Sequence, residues 1–469
     1  MISRLSLLVS VAALAMTPAV TAQERTAHEE MARDIYENVV EIRSARGQQK
    51  VPDVVDYLVG ELKAAGFSDE DIEVTDYDNQ GEPTQGLVVW YRSPEPQEKP
   101  VALLAHMDVV DALAEDWVLD PFTLTEQDGY FFGRGTADNK YGVTSLVATF
   151  IRLKEEGFEP TRDLVMVLSG DEETGMVSTR AQASWVAEEV DPAFVLNADA
   201  GGLTLDAEGE PTDYGIQGAE KTYATFELTV TNPGGHSSRP RKDNAIYELA
   251  DALKKIEAYD FPVRYNDLTR ASLEASGRKR LDKLGLAKRA FAEDPTDEDA
   301  IEVLRDDPST VGQIATTCIA TMLRGGHAEN ALPQSATATV NCRIFPGVGI
   351  EATEAKLKEL VGNEEVQFKL ISDLVESPES GMRDEVLDAV RAALEERGVE
   401  DAPIIPHMSA GGTDGMHYRN LGYDTYGVGG FAAKQNDTFA HGLNERMLVT
   451  SFYDGLDHFY VILKELAGS

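Results

Sequence analysis

The sequence predicts an α/β fold in which a mostly parallel sheet, flanked by helices, is interrupted by a smaller inserted α+β unit. Three observations carry that expectation. Apolar runs of strand length at 101–105, 163–168 and 194–197 alternate with a helical periodicity, as in Val143, Leu146, Val147 and Phe150. Each run ends in chemistry-bearing residues: His106, the pair Glu172 and Glu173, and Asp199. Parallel sheets build their sites beyond the carboxyl ends of their strands, so this shared position argues against a merely solvated set of charges. After about Gly218 the order becomes strand, helix, strand, strand, helix, strand, the pattern of a small split α/β sandwich.

The 469 residues exceed one ordinary core, and a hydrophobic content of 42% is enough to bury two. Arg4, an apolar run over 5–16 and Val20-Thr21-Ala22 resemble a cleavable secretory signal over 1–22, which places the mature protein in the periplasm or outside the cell. That run is too short for a membrane helix. A formal charge of -40 repels nucleic acid and anionic membrane, so neither is expected as a partner. Two cysteines, Cys318 and Cys342, exclude a disulfide scaffold or a thiolate zinc cluster. They fall in strand-like runs at 314–323 and 336–344 around Gly325-Gly326, where a hairpin would bring them close; a disulfide and two buried thiols both remain open.

Along the chain, 23–66 reads as helical and 86–91 as a strand. The run 101–105 leads into His106-Met107-Asp108, and positions two apart on an extended segment face the same side. A carboxylate beside a histidine can receive one ring N–H while the other nitrogen binds metal. Gly133-Arg134-Gly135-Thr136-Ala137-Asp138-Asn139-Lys140 then opens a helix; its third dinucleotide-type glycine is replaced by Asp138 and no Gly-Lys-Ser/Thr follows, so metal suits it better than phosphate. The run 163–168 delivers Glu172 and Glu173 into a Gly-bounded loop. Neighbouring side chains at a strand end point in different directions, so one carboxylate can bind metal while the other stays free to take a proton. The inserted unit follows with a strand at 222–231, the loop Gly234-Gly235-His236-Ser237-Ser238-Arg239-Pro240, a helix at 244–258, a long charged segment to 307, the two cysteine strands, a helix at 352–360 and a strand at 366–371. A helix at 384–397 and the segments Gly411-Gly412-Thr413-Asp414, 426–430 and Phe439-Ala440-His441-Gly442-Leu443-Asn444-Glu445 resume the first unit.

These motifs resemble the M20 metallopeptidases, which include carboxypeptidases, dipeptidases, aminoacylases and deacylases of amino-acid biosynthesis, in five separate places and in the family's order. The resemblance implies a zinc-exopeptidase-like catalytic domain over 23–218 and 373–469 and a ferredoxin-like lid over 219–372. It implies two Zn2+ ions, with Mn2+ or Co2+ as alternatives: His106 and Asp199 on one, Glu173 and His441 on the other, Asp138 bridging. Glu172 becomes the general base, Asp108 the partner that orients His106, and His236 the lid's donor to the oxyanion. Asn330, Arg343, Gly411, Gly412 and Thr413 would meet substrate, a small peptide or an N-acyl amino acid, with Arg343 suited to a terminal carboxylate. A cis peptide between Asp138 and Asn139 is also implied, as is a homodimer through the lid, for which the helix 244–258 and the strand 222–231 are the expected surfaces. The segment 259–310, longer than in compact members, would cover or extend that surface. The rival readings are an M28-type aminopeptidase and an inactive binding protein on the same fold. A serine hydrolase is disfavoured because no Gly-x-Ser-x-Gly elbow is present.

Overall fold

The computed structural model describes residues 25–372, 375–434 and 437–468, so the expected signal over 1–22 lies outside the described residues. A ten-stranded sheet forms the larger unit. At its centre Leu164–Ser169, Val101–His106, Phe194–Asn197 and Thr425–Gly427 lie side by side and parallel. Every residue of these four strands is buried. Such unbroken burial requires cover on both faces, which is why the strands read as apolar runs rather than alternations. Leu103 points into the core shared with helices Val51–Ala64, Lys140–Glu155, Asp384–Glu396 and Val449–Ala467, while its neighbours Ala102 and Leu104 pack on the opposite side against helix Val177–Glu189. Burying a side chain of that size contributes about 1.5–3 kcal/mol, so the register of the central strands is strongly fixed.

The helical stretch at 23–66 is two helices, Ala27–Glu41 and Val51–Ala64. Thr26 caps the first in a reciprocal box with Glu29, and Pro52 stands in the first turn of the second, where its missing N–H costs nothing. Strand Ile72–Asn79, which sequence patterning missed, is an edge strand paired only with Glu82–Tyr91 and largely unburied, so it carries no apolar signal. Strands Gly202–Leu205 and Pro211–Glu220 also escaped notice; their outer halves are polar and half-exposed. Among the described residues no helix is long and apolar enough to cross a membrane.

The inserted unit is a four-stranded antiparallel sheet in the order Thr317–Gly325, Ser335–Ile344, Thr222–Thr231, Gln367–Leu370. Helices Ala245–Glu257 and Ile350–Val361 cover it and share a core of their own with Phe226, Leu228, Val340 and Leu357. One expectation is corrected here. Thr222–Thr231 is an inner strand with neighbours on both sides, because its alternating burial reflects one face packed on helices rather than a free edge. The edges are the short Gln367–Leu370 and the longer Thr317–Gly325, where Ile319, Met322 and Leu323 are exposed. Cys318 and Cys342 are directly opposite each other across this antiparallel pair and form a disulfide, which resolves the question the sequence left open.

The long charged segment behaves differently from both expected alternatives. Helices Asp267–Arg278, Lys283–Glu293 and Glu298–Asp306 form a separate cluster around Leu273, Phe291 and Leu304. The first of them packs against strand Ile404–Ser409 of the large sheet, and Leu268 lies over Gly218. Lys279 forms an ion pair with Asp213 on strand Pro211–Glu220. The three helices therefore flank the large sheet, while Tyr259 and Phe261 at the start of the segment pack into the lid core.

Candidate active site

His106 is the last residue of a fully buried strand, and the turn after it returns its own backbone to the ring. Nδ1 donates to the carbonyl oxygen of Asp108 at 3.1 Å, with the Asp108 carboxylate 3.5 Å away. Nε2 is thereby left free to face Asp138 Oδ1 at 3.1 Å and Asp199 Oδ1 at 3.5 Å. On the other side of Asp138, its Oδ2 lies 3.0 Å from His441 Nε2, which also meets Glu173 Oε1 at 2.7 Å. Asp138 thus turns one oxygen toward each histidine. Two sets result, His106 with Asp138 and Asp199, and His441 with Asp138 and Glu173, sharing the aspartate between them.

Local structure explains why these side chains converge. The acidic pair is not on the strand, which ends at Ser169, so strand alternation does not separate the two glutamates as the sequence reading supposed. They lie in a tight turn: Asp171 O accepts from Gly175 N at 3.1 Å and Met176 N at 2.8 Å, and the Asp171 carboxylate caps the next helix at Val177 N and Ser178 N. Gly170 enters that turn where an added Cβ would lie 2.3 Å from the Gln85 carbonyl oxygen, so no larger residue fits. Asp108 sets the turn's orientation more than the histidine's. Its two oxygens accept from Glu172 N at 3.0 Å and Glu173 N at 3.1 Å, while its carbonyl does the work on His106. Asp138 and Asn139 are joined by a cis peptide, as the resemblance implied. Asn139 Nδ2 donates to Asp199 Oδ1 at 2.6 Å, and Glu445 Oε1 accepts from Ala137 N at 2.9 Å and Asp138 N at 3.0 Å. His441 itself sits at φ 60°, a left-handed conformation unusual for a side-chain-bearing residue and typical of sites that need a particular aim.

Burial pushes the carboxyls of Glu172, Glu173 and Asp199 above their ordinary range, and the carboxylates around them add to the effect. Burial alone would lower His106, but Asp199, Asp108 and Asp138 together hold it well above its usual value. Hydrogen bonds to Asp138 and Glu173 raise His441 to about 10. Asp138 moves the other way: its own burial is outweighed by the two imidazoles. The site is therefore a pocket of negative potential that draws positive charge to the two sides of Asp138. Imidazole nitrogens and carboxylate oxygens without thiolate suit zinc or a similar divalent ion, and ligand atoms of His106, Asp138 and Glu173 all lie within 4.8 Å of one another. The residues present fit a metal centre.

The other residues singled out in the sequence lie on two surfaces. Gly411, Gly412 and Thr413 form a loop after strand Ile404–Ser409. Thr413 is buried: its N–H and hydroxyl go to Glu220 at 2.6 and 3.0 Å, and Asn197 Nδ2 donates to the same hydroxyl at 3.1 Å, so its side chain anchors the loop. Arg343 crosses from the inserted sheet to this loop, donating to the carbonyl oxygen of Ala410 at 2.9 Å with its guanidinium over the ring of Tyr223. His236 and Asn330 are neighbours on the inserted unit. Gly235–His236 pairs with Ala331–Leu332, and Ser237 N donates to Asn330 O at 3.0 Å. His236 is exposed and its Nδ1 accepts from Ser238 at 2.8 Å, with no polar contact to the metal-site residues among those described. The structure brings together His106, Asp108, Asp138, Glu172, Glu173, Asp199 and His441, and leaves His236 and Asn330 apart.

Several buried partners were missed by sequence reasoning. Glu220 forms a fully buried ion pair with Arg419. Asp414, pushed up to about 7 by burial, accepts from Ser169 Oγ at 2.6 Å and Thr179 Oγ1 at 2.7 Å. Glu445 is held by Arg134 at 2.6 Å. Among 82 acidic residues no local pattern separates these three from solvated ones; only the apolar texture before Glu220 offered a hint.

The family model for peptidase family M20/M25/M40 matches residues 102–465. The chain is 30% identical over 381 residues to the N-fatty-acyl-amino acid synthase/hydrolase PM20D1 of Xenopus tropicalis, covering 76% of this chain and 71% of that protein. In fold it is similar to the M20 family metallo-carboxypeptidase Sso-CP2 from Sulfolobus solfataricus, with a TM-score of 0.68 at 19% identity over 92% of this chain and 98% of that one. It is also similar to the Bacillus subtilis YXEP protein, a dinuclear metal binding peptidase from the M20 family, with a TM-score of 0.58 at 13% identity over 93% and 98% of the two chains.

Proposed function

The chain belongs to peptidase family M20/M25/M40 and is a hydrolase of that family, and from this premise we propose an exported dinuclear zinc enzyme that cleaves the amide bond of small peptides or N-acyl amino acids, as a carboxypeptidase or dipeptidase does. The observation that carries the reading is the division of Asp138 between two histidine–carboxylate sets. His106, Asp199 and Asp138 would hold one ion, and Asp138, Glu173 and His441 the other. When bound, such a pair supplies Lewis acidity to an attacking water and to the scissile carbonyl. Glu172, in the same turn as Glu173 but without a histidine partner, takes the water's proton and passes it to the leaving nitrogen. His236 donates a hydrogen bond to the carbonyl oxygen as it gains negative charge. Arg343 spends one N–H on Ala410 and keeps the rest of its fork for a terminal carboxylate beside Gly411 and Gly412.

The exposure of His236, away from the metal-site residues, supports a lid that must close or a partner subunit that supplies the donor; the free edge at Thr317–Gly325 favours the homodimer. Zinc is the first choice of metal from the donor set, with Mn2+ or Co2+ as substitutes. The M28-type alternative does not survive the family match, and the intact set of acid, base and imidazole groups speaks against an inactive binding protein. A panel of dipeptides and N-acyl amino acids, assayed with defined divalent ions, tests the reading. Metal-dependent hydrolysis of one class is the expected result. Absence of hydrolysis across the panel by metal-loaded protein would overturn it.

A further inference from the structure

Where helix Asp267–Arg278, its following turn and helix Lys283–Glu293 approach the large sheet they enclose a cavity of about 630 Å³, walled on the other side by strands Gly202–Leu205 and Ala432–Lys434. Among the described residues four basic side chains line it, Lys279, Arg280, Lys288 and Lys434, and no acidic residue does. In a chain with 82 acidic residues against 42 basic ones, such a lining opposes the general surface. Two of the four are already paired, Lys279 with Asp213 and Arg280 with Asp282. The other two are not paired with a carboxylate among the described residues. Lys288 is 8% exposed and donates only to Ser276 Oγ at 3.2 Å, while Lys434 donates to the carbonyl oxygen of Ala207 at 2.8 Å. An ammonium at the wall of this cavity with one hydroxyl as its partner keeps N–H donors to spare for an anion. Burial lowers Lys288, with Arg280 reinforcing the effect and Asp307 and Asp282 opposing it.

The cavity also stands where ligands gather in this class of sheet. Gly427 pairs with both Asn197 and Gln217, whereas Gly202 pairs with Gly215, two residues farther out. The strand that begins at Gly202 therefore projects past the carboxyl edge of the sheet, and its wall starts two residues after Asp199. Thr438, three residues before His441, completes the rim.

We propose that this cavity is a binding site for a small carboxylate anion, held by Lys288 and Lys434, next to but separate from the Asp138 centre. The carboxylate can be the distal group of a substrate or a free anion that acts on the enzyme from outside the reaction. The site stands without the proposed activity, because its test is direct binding.

Succinate is the probe, titrated calorimetrically into the metal-loaded protein. Saturable binding is expected, weakened at least about tenfold in Lys288→Met and further in Lys288→Met/Lys434→Gln, since each removes a charged hydrogen bond. Lys288→Met should also raise the thermal midpoint without succinate, whereas a merely structural lysine would lower it. Succinate binding that is unchanged in the double variant but vanishes when the metals are stripped would place the anion at Asp138 and overturn the proposal. So would no binding at all to the folded parent. The source is then read from kinetics. A raised KM in the double variant only for substrates with a second carboxylate assigns the site to substrate, and an effect of succinate on a neutral substrate, lost in the double variant, assigns it to a free anion.

Discussion

Around Asp138 the Asp199 carboxylate is held by Asn139 and the turn carrying Glu172 and Glu173 is held by Asp108, whereas the exposed His236 ring on the inserted unit meets Ser238. The difference lies in what the two regions must do. Metal ligands need aim before the ligand arrives, and buried hydrogen bonds such as Asn139 to Asp199 provide it. An oxyanion donor acts only after substrate is in place, so it can ride on an element that arrives from another body. The exposed edge strand with Ile319, Met322 and Leu323 belongs to the same unit as His236, so the proposed donor and the proposed dimer surface share one unit.

The most severe way to break the prearranged half is Asp138→Ala. Losing the carboxylate shared by both histidines should weaken metal binding by more than the roughly 10–100-fold typical of an outer-shell change, and turnover should fall with it. Metal analysis after dialysis checks this; two tightly held ions would contradict the bridging role.

On the inserted unit, His236→Ala should keep its metals and lose about 10²–10³ in kcat, the usual effect of one oxyanion donor. Mixing these chains with Glu172→Ala chains should restore activity if the donor comes from the partner, because one hybrid site then has both groups. Confirmed subunit exchange without recovered turnover would leave closure within one chain.

How much of this was legible follows the same divide. The centre of the sheet and the metal-site set could be read because buried strands such as Val101–His106 are unbroken apolar runs ending in rare residue types, and only eight histidines occur in the chain. What supports them could not. Glu220, Asp414 and Glu445 are carboxylates in an acid-rich chain, and their burial depends on contacts with residues 199 to 311 positions away. The role of Asp108 was half right, since a strand-based argument aimed its carboxylate at His106 and the turn gave it instead to two backbone N–H groups. The identity of the edge strand was misjudged because alternation along Thr222–Thr231 shows one buried face and nothing of its neighbours, and order across a sheet is not a local property.

The mildest expected change concerns the loop that faces the lid. Arg419→Met leaves Glu220 as an uncompensated buried charge beneath Thr413 and should lower stability by about 3–5 kcal/mol, read as a shift of the denaturant midpoint. Adding Glu220→Gln should recover part of that loss. If the single variant were as stable as the parent, the loop would not depend on the pair.

In the proposed mechanism Glu172 moves the proton while its neighbours hold the metals, and the decisive variant is Glu172→Gln, with metal content and turnover measured on one preparation. The prediction is a parent-like complement of two ions with turnover lower by at least about a hundredfold. Two ions with near-parent turnover would contradict the assignment of the base, and loss of the ions would show that Glu172 is itself part of what holds them.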